Sequence, residues 1–110
     1  MSAKFEIAKA TNGQYFFHLK SANGEIVLAS ERYVTKDGAK TGIASVQQNA
    51  PLDVRYERKI ARNGEHMFNL KAANHEIIGT SETYKTEQGR ENGIAAVKRD
   101  APGAPVVDLA

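Results

Sequence analysis

Apolar and polar positions change period twice along this chain, in the same order both times. Phe5 to Ala10 alternates imperfectly, as a strand with one buried face does. Asn12-Gly13 follows, a dipeptide that tolerates positive φ and predicts a hairpin with a type I′ turn. Tyr15 to Lys20 is aromatic and β-prone, a second strand. Asn23-Gly24 predicts another hairpin, and the apolar run Ile26 to Ala29 a third strand. The period then lengthens. Ala39, Ile43, Val46 and Ala50 recur at three- and four-residue spacing, the apolar stripe of a helix. Thr35 is its expected N-cap, and Asp37 places negative charge in the first turn. Pro51 disfavours helix at the residue before it and ends the element.

The same order returns in the second half. Sliding the chain by 51 residues superposes Asn12 on Asn63 and Pro51 on Pro102 without a gap, and about 22 of 47 positions are then identical. Tyr56 to Ala61, His66 to Lys71 and Ile77 to Thr80 read as strands, with a helix from about Thr86 to Arg99. One turn departs from the pattern. Gly24 becomes His75, which costs more in a left-handed position, so this hairpin is expected to use a different turn.

The reading is an α+β fold: one domain over residues 1–110, made of two tandem β-β-β-α repeats at 4–52 and 55–103. Residues 104–110, with two turn-formers and no period, are expected to form a flexible tail. A meander of three strands and one helix has little core and exposed edges, so two units are expected to pack with pseudo-twofold symmetry, as a homodimer fused into one chain. Such a fused pseudo-dimer is expected to be monomeric.

Composition narrows the class. A net charge of +2 with interspersed signs is too weak a bias to argue for nucleic acid by itself. The absence of cysteine excludes disulfides, thiolate metal sites and cysteine nucleophiles, and fits a cytoplasmic location. The opening MSAKFEIAKA lacks the long apolar stretch of a secretory leader, and no run approaches the ~20 apolar residues of a membrane span.

The stretch NGEIVLASERYVTKDGAKTGIASVQQNAP, echoed in NHEIIGTSETYKTEQGRENGIAAVKRDAP, resembles the tandem form of the YegP-like UPF0339 family, whose unit is the DUF1508 domain. Both units carry Ser-Glu-x-Tyr and Gly-Ile-Ala-x-Val, and the resemblance covers roughly residues 4 to 102. It implies one antiparallel sheet curled into a pseudo-barrel with helices capping its ends. It implies no activity, since the family is uncharacterised.

Few residues argue for chemistry. His18, His66 and His75 lie in or beside predicted strands, without the convergent ligand set that a metal needs. Ser30/Ser81, Glu31/Glu82 and Tyr33/Tyr84 offer acid–base residue types, yet no histidine recurs beside the serines, and a serine here suits local backbone bonding. Gly38/Gly42 and Gly89/Gly93 interrupt predicted helices, which asks for close packing; GAKTG lacks the spacing of a phosphate loop. Catalytic, metal and cofactor sites are therefore not expected. The favoured function is a small non-enzymatic binding or interaction module with a protein partner. The alternative is weak nucleic-acid binding through Lys20, Lys71, Arg55, Arg58, Lys59 and Arg62 on the strands. An enzyme with a site between the repeats ranks third.

Overall fold

The computed structural model describes residues 2–110. Its elements follow the predicted order: β1 Lys4–Lys9, β2 Tyr15–Lys20, β3 Ile26–Ala29 and α1 Lys36–Asn49, then β4 Tyr56–Ile60, β5 His66–Lys71, β6 Ile77–Thr80 and α2 Glu87–Asp100. A short 3-10 turn, Asp53–Arg55, joins the halves. Thr35 caps α1 by accepting from the Gly38 N–H at 2.9 Å, and Thr86 caps α2 by accepting from Gly89 at 3.0 Å.

The sheet departs from expectation in three ways. It has seven strands, because Val106–Asp108 forms β7 where a flexible tail is expected. β7 runs parallel to β1, so the sheet is mixed. It is also open: the order β4-β5-β6-β3-β2-β1-β7 leaves β4 and β7 as edges, and no barrel closes among the described residues. The tail is held by backbone bonds, Phe5 N–H to Pro105 O and Leu109 N–H to Ile7 O, both 2.8 Å, and by the Lys36–Asp108 ion pair at 3.0 Å.

The turns differ too. Ala10 N–H donates to Gln14 O while Gly13 N–H donates to Ala10 O, which makes a three-residue loop with a bulge rather than a type I′ turn. Only the glycine takes positive φ; Asn12 uses its side chain, accepting from the Gln14 N–H at 3.0 Å. His75 does not change its turn. It adopts φ 71° and donates to Ala72 O at 2.9 Å, as Gly24 does to Ser21 O. The repeat's geometry overrides the cost of a side chain in the left-handed region.

Register puts the apolar positions on one face. Phe5 pairs with Leu19, Ile7 with Phe17 and Tyr56 with Leu70, and all six are buried. Both helices lie on that face, lending Ile43, Val46, Ile94 and Val97 to one shared core. Each helix touches strands of both repeats: α1 meets β2, β5 and β6, and α2 meets β5 and β3. They cover the sheet's face and do not cap barrel ends.

The helix glycines make room for the motif tyrosines. A Cβ on Gly42 would stand 2.8 Å from Tyr33 Cζ and 3.0 Å from Phe17 Cε2, and one on Gly93 would stand 2.7 Å from Tyr84 Cζ. Tyr33 in turn stacks on Phe17, with ring centroids 6.1 Å apart. At the β3–β6 seam Ala29 pairs with Thr80, its own repeat equivalent. Beside it Leu28 fills the space over Gly79, where a Cβ would lie 2.6 Å from Leu28 Cγ.

Two stability outcomes follow from this packing. Glycine to alanine inside a helix ordinarily stabilises by about 0.5–1 kcal/mol. Gly42→Ala is expected to destabilise instead, by about 1–3 kcal/mol in urea unfolding, because a Cβ there would overlap the Tyr33 ring and crowd the buried Phe17 ring beside it; a variant as stable as the parent would place the tyrosine elsewhere. Gly79→Leu is expected to cost about 3 kcal/mol, and Leu28→Gly/Gly79→Leu to recover part of the summed loss, with a coupling of about 1–3 kcal/mol. Strict additivity in that cycle would contradict the contact.

Candidate functional site

The face opposite the helices carries an ordered polar row. Register sets Glu6, His18, Ala29, Thr80, Asn69 and Glu57 opposite one another across six strands. Asn69 is buried there because its neighbours satisfy it: its amide donates to Glu57 Oε1 at 3.1 Å and its oxygen accepts from Thr80 Oγ1 at 3.0 Å. These bonds from Asn69, then Lys71, hold the Glu57 carboxyl below its ordinary range. At the other end Lys20, 2.7 Å away, does the same for Glu6.

The six basic candidates do not form one surface. Lys20 on β2 lies four strand spacings from β4, about 19 Å along the sheet. Lys20 pairs with Glu6, and Lys71 with Glu57 at 3.1 Å. Arg55 donates to Asn49 Oδ1 at 2.9 Å. Arg58 bridges Asp53 at 3.1 Å and Glu91 at 3.0 Å, and Lys98 also reaches Asp53, at 2.6 Å. Lys98, then Arg58, hold the Asp53 carboxyl low, and Arg58 does so for Glu91. Lys59 and Arg62 alone among the six make no side-chain hydrogen bond among the described residues. Acids pair with three of the six, Lys20, Lys71 and Arg58, and so offset half of the charge that a phosphate backbone would use.

The serines and tyrosines have structural work. Ser30 Oγ accepts from the Phe17 N–H at 2.9 Å and donates to Glu31 O at 2.7 Å; Ser81 repeats this with Phe68 and Glu82. Burial pushes the Tyr33 and Tyr84 phenols up, away from a role as bases at neutral pH. His66 Nδ1 is buried without a hydrogen-bond partner. Among the described residues no three His, Asp or Glu side chains gather as a metal site, and no helix is long and apolar enough to cross a membrane.

The two sheet edges are unlike. Phe5 and Ile7 turn their backbone groups outward to β7, whose Val106 and Asp108 line a groove of 350 Å³ with Lys40, Ile43, Ala44 and Gln47 of α1. Tyr56 and Arg58 are their equivalents one repeat later. The β4–β5 hairpin closes with Ala61 N–H on Glu65 O, so alternation turns the backbones of Tyr56, Arg58 and Ile60 away from β5. Tyr56 N–H bonds Asp53 O, and beyond that no strand among the described residues covers this edge. Ile60 beside it is 58% exposed and Val54 81%. The sequence reading missed this edge, because its openness depends on where the tail lies.

His18 carries a pH dependence. Burial, then Lys20, lowers its pKa below the ordinary 6.5, against a smaller pull from Glu6 and Glu82. Folding therefore favours the neutral ring. Its contribution to stability is complete above pH 6.5 and is lost as the pH falls from there through the folded value. Urea unfolding across pH 5 to 7.5 is expected to show about this loss in the parent and less of it in His18→Asn, which installs the residue that repeat two carries as Asn69. Equal slopes would remove His18 as the cause.

Comparison with known proteins agrees with the repeat. The family described as "Domain of unknown function (DUF1508)" matches residues 10–57 and again 61–108, two segments 51 positions apart. A UPF0339 protein of Acinetobacter baylyi is 54% identical over 109 residues, covering 99% of this chain and 98% of the relative. UPF0339 protein YegP of Escherichia coli is 51% identical over 108 residues, covering 98% of each. The solution structure of E. coli YegP, titled a protein of unknown function, superposes with a TM-score of 0.93 at 50% identity, covering 99% of this chain and 94% of that one. That of a UPF0339 protein from Shewanella oneidensis gives 0.92 at 47%, covering 99% and 92%. With two DUF1508 units and full-length relatives of this kind, the chain belongs to the UPF0339 family, in its tandem form.

Proposed function

We propose that the chain is a fused pseudo-dimer acting in the cytoplasm as a non-enzymatic protein-interaction module, with the outer edge of β4 as its docking edge. One observation carries this reading: β1 has its outer edge closed by β7, while β4, its repeat equivalent, leaves the backbones of Arg58 and Ile60 unpaired. An unpaired edge is a template for strand addition, in which main-chain bonds give affinity and side chains give selectivity. Exposed Ile60 and Val54 add apolar area beside it. The pairing of Ala29 with Thr80, each the other's counterpart, supports the pseudo-twofold relation of the halves.

Ile60→Pro tests the edge. Ile60 N–H points away from β5, so proline there removes an outward donor and spares the β4–β5 ladder. Capture from nuclease-treated native extract is expected to retain a discrete protein on the parent that Ile60→Pro, folded as judged by its melt, no longer holds. Equal retention by both would remove β4 as the docking edge, and nucleic acid retained and released by salt would replace the proposal with the alternative.

A further inference from the structure

We infer that β4 pairs antiparallel with β4 of a second copy, centred on Arg58, joining two sheets into one. The inference rests on the docking edge proposed above and names its occupant. A two-fold pairing that keeps both helix layers on the same side must set residues of equal parity opposite one another, since successive side chains alternate faces. Centring on Arg58 sets Glu57 opposite Lys59 of the second copy, and Lys59 opposite its Glu57. Centring on Glu57 or on Lys59 sets like charges opposite each other instead.

The backbone agrees with this register. Outward groups belong to Tyr56, Arg58 and Ile60. The two Arg58 residues would exchange a pair of N–H···O bonds, and each Ile60 N–H would reach the Tyr56 carbonyl of the other copy. Tyr56 N–H is already spent on Asp53 O and is not needed. Glu57 and Lys59 then fall at a non-hydrogen-bonded pair, where side chains come closest. Lys59 is without a side-chain partner among the described residues. Glu57 already accepts from Asn69 and Lys71, and a carboxylate has room for a third donor.

Arg58 facing its own copy is the obstacle, and the chain has already answered it. Each guanidinium lies between Asp53 and Glu91, with Lys98 on Asp53, so the cluster is neutral before two of them approach. Charges of one sign on an edge strand block pairing of any kind. Glu57 and Lys59, of opposite sign on the face away from the helices, instead disfavour centring on either of them and favour centring on Arg58 between them.

Sedimentation equilibrium of the full chain decides the matter. Between about 10 µM and about 1 mM the parent is expected to pass from monomer to dimer. Lys59→Glu and Glu57→Lys are each expected to associate at least about tenfold more weakly, because each sets like charges opposite one another twice. An equimolar mixture of the two restores every opposite-charge pair and is expected to dimerise at least as well as the parent. Glu57→Lys stands beside Lys71; if it does not fold, Lys59→Gln and Lys59→Glu form the series, with Gln intermediate. A parent that stays monomeric throughout, single variants that associate like the parent, or a mixture that stays monomeric overturns the inference. If the parent is monomeric while Ile60→Pro still loses a captured protein, the edge docks another protein and only this inference falls; if both experiments fail, so does the docking edge.

Discussion

The sheet depends on a narrow seam. β3 and β6 are four residues each, and one Cα pair, Ala29 with Thr80, sets their register. On either side lies a three-stranded meander with one helix, a unit too small to bury a core alone. What makes the seam tight is Leu28 occupying the space over Gly79. These are repeat-equivalent positions brought together, so a large residue on both sides would collide and a small one on both would leave a void. Two identical chains carry the same residue at both positions. A single chain carrying both repeats can hold leucine on one side and glycine on the other. The helices extend the same bond between halves, since each packs on strands of both repeats.

Much of this was legible in the sequence because it is local. The period change, the Thr35 and Thr86 caps and the proline stops each act within a turn or two of chain, and each predicted element is present. Asn-Gly marked the hairpins but not their type, because both candidate loops need a positive-φ glycine and differ in the φ of the asparagine and in which backbone groups bond. The glycines on α1 and α2 demanded a neighbour without naming it, and the motif tyrosine of the same repeat is that neighbour. β7 was illegible for a physical reason. Three residues on an edge carry no period, and their partner β1 lies about a hundred positions earlier in the chain.

The candidate site shows the same division. Basic residues could be counted along the strands, but whether they make a surface depends on partners distant in sequence. Arg58 meets Glu91, and Lys98 meets Asp53, across gaps that no local pattern spans. Pairing took Lys20, Lys71 and Arg58 of the basic set, and Arg58 with Lys98 became a network on the edge of repeat two. Such half-exposed pairs add little stability. Their consequence is to decide what else can come near.

The two edges differ in charge as well as in cover. On the β1 side, Asp108 of the tail meets Lys36, with Lys40 one turn further along α1. The same helical positions of repeat two hold Glu87 and Glu91, and Ile7 on the strand is replaced by Arg58. A tail laid on β4 would meet Glu87 and Glu91 in place of Lys36 and Lys40, and would set Asp108 beside Arg58 where Ile7 now stands. The tail closes the edge beside its own root: Gly103 ends the turn after α2 and Val106 already pairs with β1, while β4 lies five strand spacings, about 24 Å, from β1. Chain connectivity makes equivalent edges inequivalent. It spends the chain's own last strand on β1 and leaves β4 an edge among the described residues.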